Sequence, residues 1–285
     1  MTDRLDRLGG LTNVNYLVDG QFVLRLPGHG TGEYIDRRAE AVASRVASEV
    51  GVNAELAFFD ADTGIMLTRF VAGAVTMSAH GFGDLGAVGR AARVLRRLHT
   101  SGRVFATDFR LFAMIDEYKA LLAAKGANLP DGYAAVQQQA ETVRAALEAH
   151  PVASVPCHCD PLCENFLDTG ERMYLIDYEY AGNNDPMWDL GDLSVEAGFT
   201  PEQDSALLNA YFDGSPPPEQ VGRMIAYKAL CDLLWTLWGV IQHVNGNEAD
   251  HFWAYAVARF ERCRSLMASP RFAVQVAAIP NWGDE

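Results

Sequence analysis

The rhythm of apolar positions changes along the chain. Val14–Val18 and Gln21–Leu26 are short β-prone runs joined by Asp19-Gly20, a dipeptide suited to the positive φ values of a two-residue hairpin turn. From Glu33 to Val50 the spacing becomes helical, with Ile35, Ala39, Val42, Val46 and Val50 apolar and Gly51 as the expected terminator. Glu55–Phe59 and Ile65–Phe70 then predict two more strands around the turn-rich stretch from Asp60 to Gly64. This order predicts a small antiparallel lobe with one main helix packed on it. Val71–Val75, which breaks the pattern, is expected to be a hinge.

Beyond the hinge, helical spacing dominates. Asp84 is positioned to cap a helix whose stripe is Leu85, Val88, Ala92, Leu95 and Leu98, with Arg90, Arg93, Arg96 and Arg97 as a solvated face. Phe109, Phe112, Ile115 and Leu122 mark a second helix, and Tyr133, Val136, Val143 and Leu147 a third. Met224–Val244 is apolar almost all round and predicts a helix buried in the larger lobe. The expected class is α+β, with an N-terminal lobe over residues 1–73 and a mostly helical lobe over 74–285.

Composition narrows the partners. The chain has 285 residues, 49% of them hydrophobic, which is ample for a core. A formal charge of −14 argues against a broad grip on nucleic acid. Charged Asp3, Arg4, Asp6 and Arg7 precede any apolar run, unlike a secretory signal. The apolar run Leu233–Ile241 falls far short of the ~20 residues of a membrane span. A cytoplasmic protein without membrane or nucleic acid partners is the expectation. The 5 cysteines suit a reducing compartment, and Cys157, Cys159 and Cys163 around His158 lack zinc-ligand spacing.

The chemistry concentrates at residues 158–177. Asp160 stands five positions before Asn165, and Asp177 follows after a predicted β-hairpin over Phe166–Ile176. Phosphoryl transfer needs charge held in place more than covalent help. Asp160 is the candidate base for an attacking hydroxyl, and Asn165 and Asp177 are oxygen donors suited to Mg²⁺. The hairpin would return those two ligands to one end. In the first lobe, Gly9, Gly10, Thr12 and Asn13 precede a strand and can offer backbone N–H groups to nucleotide phosphates. Arg25, in the next strand, is placed to meet the α- and β-phosphates of ATP, with Glu40 as its partner.

The ordered set resembles the choline kinase family, within the aminoglycoside-phosphotransferase-like group of kinases. The matching segments are Gly9–Tyr16, Val23–Gly28, His158-x-Asp160 with Glu164-Asn165, Ile176–Ala181, Asn184–Pro186, Trp188–Leu190 and Trp235-x-x-Trp238. They span most of the chain. The resemblance implies a two-lobed protein-kinase-like fold, Asp160 as base, Asn165 and Asp177 on Mg²⁺, and Arg25 with Glu40 ordering ATP. It assigns a cation pocket to Tyr180, Glu196, Trp235 and Trp238, and makes Asp189 a brace for the catalytic loop. Cys159 departs from the family's usual Asn.

Trp235 and Trp238 are three apart and share a helix face, as π surfaces around a quaternary ammonium must. The expected reaction is ATP- and Mg²⁺-dependent phosphorylation of choline, a small cationic alcohol. Ethanolamine, thiamine or an aminoglycoside would be alternative acceptors, and a nucleotide-binding pseudokinase is the alternative of another class.

Overall fold

A computed structural model describes residues 5–8, 13–28 and 35–279. Gly9, Gly10 and Thr12 of the expected nucleotide loop lie outside the described residues. The described chain divides into two compact units. The first holds residues up to Phe109, Ser154–Asp189 and Glu196–Gly214; the second holds Arg110–Ala153, Leu190–Val195 and the chain from Ser215 onward.

The first unit is built on an antiparallel sheet. Strands β1 (Leu5–Arg7), β2 (Val14–Val18), β3 (Phe22–Leu26), β4 (Leu56–Phe59) and β5 (Met66–Arg69) lie in the order β1-β2-β3-β5-β4. Asp19 and Gly20 take the positive φ values their sequence predicts, 52° and 66°, but Val18 pairs with Phe22, so Gln21 joins them in a connection one residue longer than expected. Helix α1 spans Arg37–Glu49 and starts later than the Glu33 expected from periodicity. The reason is local. The Asp36 side chain accepts the N–H groups of Arg38 and Ala39, each at 3.0 Å, and fixes the start. Gly51, with φ of 71°, follows the helix end.

Helix α2 (Leu85–His99) begins at Asp84, which accepts from Gly86 and Ala87 as its capping position requires. Its buried stripe includes Val88, Ala92, Leu95 and Leu98. In the same unit lie the short strands β6 (Val75–Thr76), β7 (Val155–Cys157), β8 (Phe166–Asp168), β9 (Met173–Leu175) and β10 (Gly182–Asn184), with α6 (Pro201–Phe212). They form one sheet in the order β6-β8-β9 and a β7–β10 pair. Arg90 of α2 holds Asp168 at the end of β8 with contacts of 2.9 and 2.6 Å, so the helix anchors the hairpin. Helix α5 (Pro186–Glu196) contributes residues to both units.

The second unit contains α3 (Leu111–Ala124), α4 (Tyr133–Ala149), α7 (Pro218–Val244), α8 (Phe252–Met267) and α9 (Pro270–Ala277). Helix α7 is buried on nearly every face, as its all-round apolar sequence predicts. Its contact with α8 depends on Gly239, where a Cβ would stand 2.7 Å from Tyr255 Cδ1. Buried Asp232 of α7 receives Arg262 of α8 at 2.6 Å and Arg259 at 3.4 Å. Arg259 is buried and Arg262 half-exposed, so removing Asp232 leaves Arg259 as an uncompensated buried charge, at a cost of about 3–5 kcal/mol.

Candidate active site

The loop after β7 is held by its backbone. The N–H groups of His158 and Cys159 donate to the two oxygens of Asp189 at 2.7 and 2.8 Å. His99 Nε2 contacts the same carboxylate at 2.9 Å, and its Nδ1 lies 2.9 Å from the Tyr211 hydroxyl. Trp188 donates its indole N–H to the Cys159 carbonyl at 3.1 Å. Cys159 itself sits at φ of 67°, a left-handed conformation that Asn tolerates better than most residues. The chain bends there, just before Asp160. Burial first, against the pull of Asp189, holds the His158 imidazole below its usual pKa. A neutral ring fits its Nε2 contact with the Ile176 carbonyl at 2.8 Å.

Asp160 and Asn165 belong to one structured turn. The Leu162 N–H donates to the Asp160 carbonyl at 2.8 Å, and the Asn165 amide Nδ2 donates to the same carbonyl at 3.0 Å. Fixing Nδ2 there makes Oδ1 the atom Asn165 can offer a cation. Strands β8 and β9 pair Phe166 with Leu175, and the Ile176 N–H donates to the Asn165 carbonyl at 2.9 Å. The hairpin thus returns Asp177 to the end where Asn165 begins. Asp177 takes φ of 68°, which ends the strand direction at that residue.

A charged cluster surrounds Asp177. Arg25 is 3% exposed on β3, flanked by β2 and β5, so it is an interior cation. Its Nη1 pairs with Glu40 Oε1 and lies 3.4 Å from Asp177 Oδ1. Its Nη2 donates to the Gly64 carbonyl at 3.3 Å. Arg37 Nη1 lies 2.7 Å from Glu40 Oε2 and 3.5 Å from Glu179 Oε2. Asn13 donates its amide to Glu179 at 3.4 Å and accepts the Gly28 N–H at 3.3 Å. Asn13 therefore braces Glu179.

The electrostatics follow from crowding. Burial, then the Glu179 charge, raises the Asp177 carboxyl to about 7 against the pull of Arg25. Burial and Glu40 likewise raise Glu179, opposed by Asn13 and the two arginines. Burial disfavours the Arg25 charge, yet its hydrogen bond and charge contact with Glu40 hold its pKa above the ordinary value. Oxygens of Glu40, Asp177 and Glu179 lie within 4.8 Å of one another. The Glu40 oxygens are taken by Arg25 and Arg37, so Asp177 and Glu179 with the Asn165 amide oxygen are the donor set left for a hard divalent cation, and they fit Mg²⁺.

Glu179 and Arg37 were not predicted as site residues. The one signal for Glu179 is its spacing of two from Asp177, with buried Tyr178 between them. The local signal for Arg37 is Glu40 three positions on, while its contact with Glu179 joins residues far apart in sequence.

The expected cation-pocket residues fall in both units. Tyr180 and Glu196 belong to the first and are half-buried. Burial, then the charges of Glu164 and Glu196, pushes the Cys163 thiol up to about 12. Trp235 and Trp238 belong to the second. Their ring centroids are 6.1 Å apart at 88°, and Trp238 also meets Phe252 and Tyr255 edge-on at 5.5 and 5.8 Å. Trp235 is buried and Trp238 half-buried. They share a helix face as their spacing predicts.

An antiparallel sheet whose Arg25 pairs with Glu40 of helix α1, and a loop carrying Asp160 and Asn165 ahead of an Asp-bearing hairpin, define a protein-kinase-like phosphotransferase fold. Residues 6–221 match the phosphotransferase enzyme family APH, and the chain belongs to that family. It is 52% identical to a choline/ethanolamine kinase family protein from Mesorhizobium loti, covering 98% of this chain and 92% of that one with a TM-score of 0.92. It is 28% identical to the choline kinase LicA from Streptococcus pneumoniae, covering 93% of each chain with a TM-score of 0.78. Protein LicA of Haemophilus influenzae strain Rd is 31% identical, over 90% of this chain and 98% of that protein.

Proposed function

We propose that this chain transfers the terminal phosphoryl group of ATP to the hydroxyl of choline, with Mg²⁺ as the required cation. The observation that carries the reading is the convergence of Arg25, Glu40 and Asp177 in one cluster, next to the turn that holds Asp160 and Asn165. Likeness to LicA choline kinase and to a choline/ethanolamine kinase family protein supports choline as the acceptor.

In this reading Asp160 accepts the proton of the attacking hydroxyl. Asn165, Asp177 and Glu179 hold Mg²⁺, which supplies charge neutralisation to the phosphates when bound. Arg25 engages phosphate oxygens and Glu40 keeps it aimed. Gly9, Gly10, Thr12 and Asn13 serve the nucleotide from residues 1–73, and the catalytic and substrate residues come from 74–285. Trp235, Trp238 and Tyr180 offer π faces and Glu196 a counter-charge to the quaternary ammonium. The reaction is assigned to the cytoplasm.

A coupled ADP-release assay with choline, ethanolamine, thiamine and aminoglycosides tests the substrate. The expected result is a kcat/KM for choline at least ~10-fold above the others, since methyl-ammonium on aromatic faces is worth about 0.5–2 kcal/mol per contact. A preference for ethanolamine would replace choline and keep the kinase.

A further inference from the structure

Glu40 is shared between two arginines that come from different elements. Arg25 of β3 takes Oε1, and Arg37 from the first turn of α1 takes Oε2 at 2.7 Å. Arg37 then reaches Glu179, 3.5 Å from the same Nη1. The Asp36 cap fixes the backbone from which Arg37 projects. The β4–β5 turn walls its guanidinium: a Cβ on Gly64 would stand 2.9 Å from Arg37 Nε. Gly64, at φ of 76°, also gives its carbonyl to Arg25. Arg37 is buried, so its charge is weakly screened from the carboxylates around it.

The local balance sets what this charge does. Glu40, Asp177 and Glu179 bring three negative charges to within 4.8 Å, and Arg25 and Arg37 return two positive ones. Without Arg37 the cluster would carry one more net negative charge, and Glu179 would lose the cation that restrains it. With Arg25 left as the one cation facing three carboxylates, the cluster would bind a divalent ion more readily before nucleotide arrives. With Arg37 in place, the carboxylates are mostly compensated until a nucleotide polyphosphate adds its own negative charge.

We propose that Arg37 is a positioning residue that holds Glu179 and offsets the acidic cluster, so that the free enzyme binds Mg²⁺ weakly and the metal enters with the nucleotide. This rests on the reading of Asp177, Asn165 and Glu179 as the metal set. Arg37 contacts neither reacting atom; it acts through Glu40 and Glu179.

The test is calorimetric titration of the full chain with Mg²⁺, and with Mn²⁺ as a second probe, in the absence of nucleotide and acceptor. Arg37→Gln and Arg37→Met should bind the ion ~10-fold or more tightly than the wild type, because a nearby compensating charge is gone. Arg37→Lys, which keeps the charge, should stay within ~3-fold of the wild type. Turnover should fall at least ~10-fold in the Gln and Met variants despite the tighter metal, a split that a purely structural residue would not produce. Unchanged or weaker ion binding by folded Arg37→Gln overturns the proposal. Loss of fold in both Gln and Met variants overturns it too, since the fold would then depend on Arg37 and its role would be structural. A parallel titration of wild type with Mg²⁺ plus ADP checks the metal set itself. Absence of binding there would sink the site reading instead, independently of the Arg37 result.

Discussion

The backbone N–H of His158 donates to the buried carboxylate of Asp189 at 2.7 Å. Through this bond and its neighbour at Cys159, a residue of α5 sets the path of the loop that carries Asp160. Asp189→Ala would leave two buried N–H groups and His99 without their acceptor. The expected cost is about 3–5 kcal/mol of stability, measured by urea unfolding. Asp189→Asn, which keeps one acceptor oxygen, should lose less.

Cys159 has a different prediction. Its φ of 67° is costly for a side chain other than Asn or Gly. Its sulfur lies 3.7 Å from the Cys157 carbonyl and 3.8 Å from the Gly182 carbonyl, so an amide in its place would have acceptors. Cys159→Asn should keep turnover and gain up to about 1 kcal/mol in stability. Cys159→Val, β-branched at the same φ, should lose about 2 kcal/mol. Equal stability of both variants would contradict the conformational account.

Metal-free stability should depend on pH through Asp177. Its carboxyl is raised to about 7 by burial and Glu179, so the folded state holds this proton more tightly than the unfolded chain. Between about pH 4 and pH 7 its contribution to stability therefore falls as pH rises. Asp177→Asn removes that ionisation. In EDTA, its stability advantage over the wild type should widen from about pH 5 to about pH 7.5, by urea unfolding at each pH. A constant difference would show that Asp177 carries no such penalty.

Trp238→Ala should act on the acceptor alone. Losing one π face from an ammonium pocket predicts a rise of about 2- to 30-fold in KM for choline, with KM for ATP unchanged. Equal effects on both substrates would place Trp238 in the core instead.

Local signals were legible in the sequence, and distant pairings were not. The positive φ of Asp19 and Gly20, the Asp84 cap and the β8–β9 hairpin each depend on residues a few positions apart, and each formed as predicted. The partner of Arg25 was also legible, because Glu40 lies on the next element. Strands β7 and β10 were not, since each is three residues long and carries little periodicity. Glu179 became a site residue only through Asn13, 166 positions away, and through Arg37. The helix start at Arg37 was missed because the pattern of apolar residues extends past the Asp36 cap.

The central claim is phosphoryl transfer to choline that depends on Asp160. Its most direct measurement is a phosphorus NMR time course of wild type and Asp160→Asn with ATP, Mg²⁺ and choline, alongside ADP binding by calorimetry. The account predicts phosphocholine and ADP in equal amounts from the wild type. It predicts a rate at least ~100-fold lower from Asp160→Asn, with ADP affinity retained. Phosphocholine formation at the wild-type rate by Asp160→Asn, or no phosphocholine from the wild type, would contradict it.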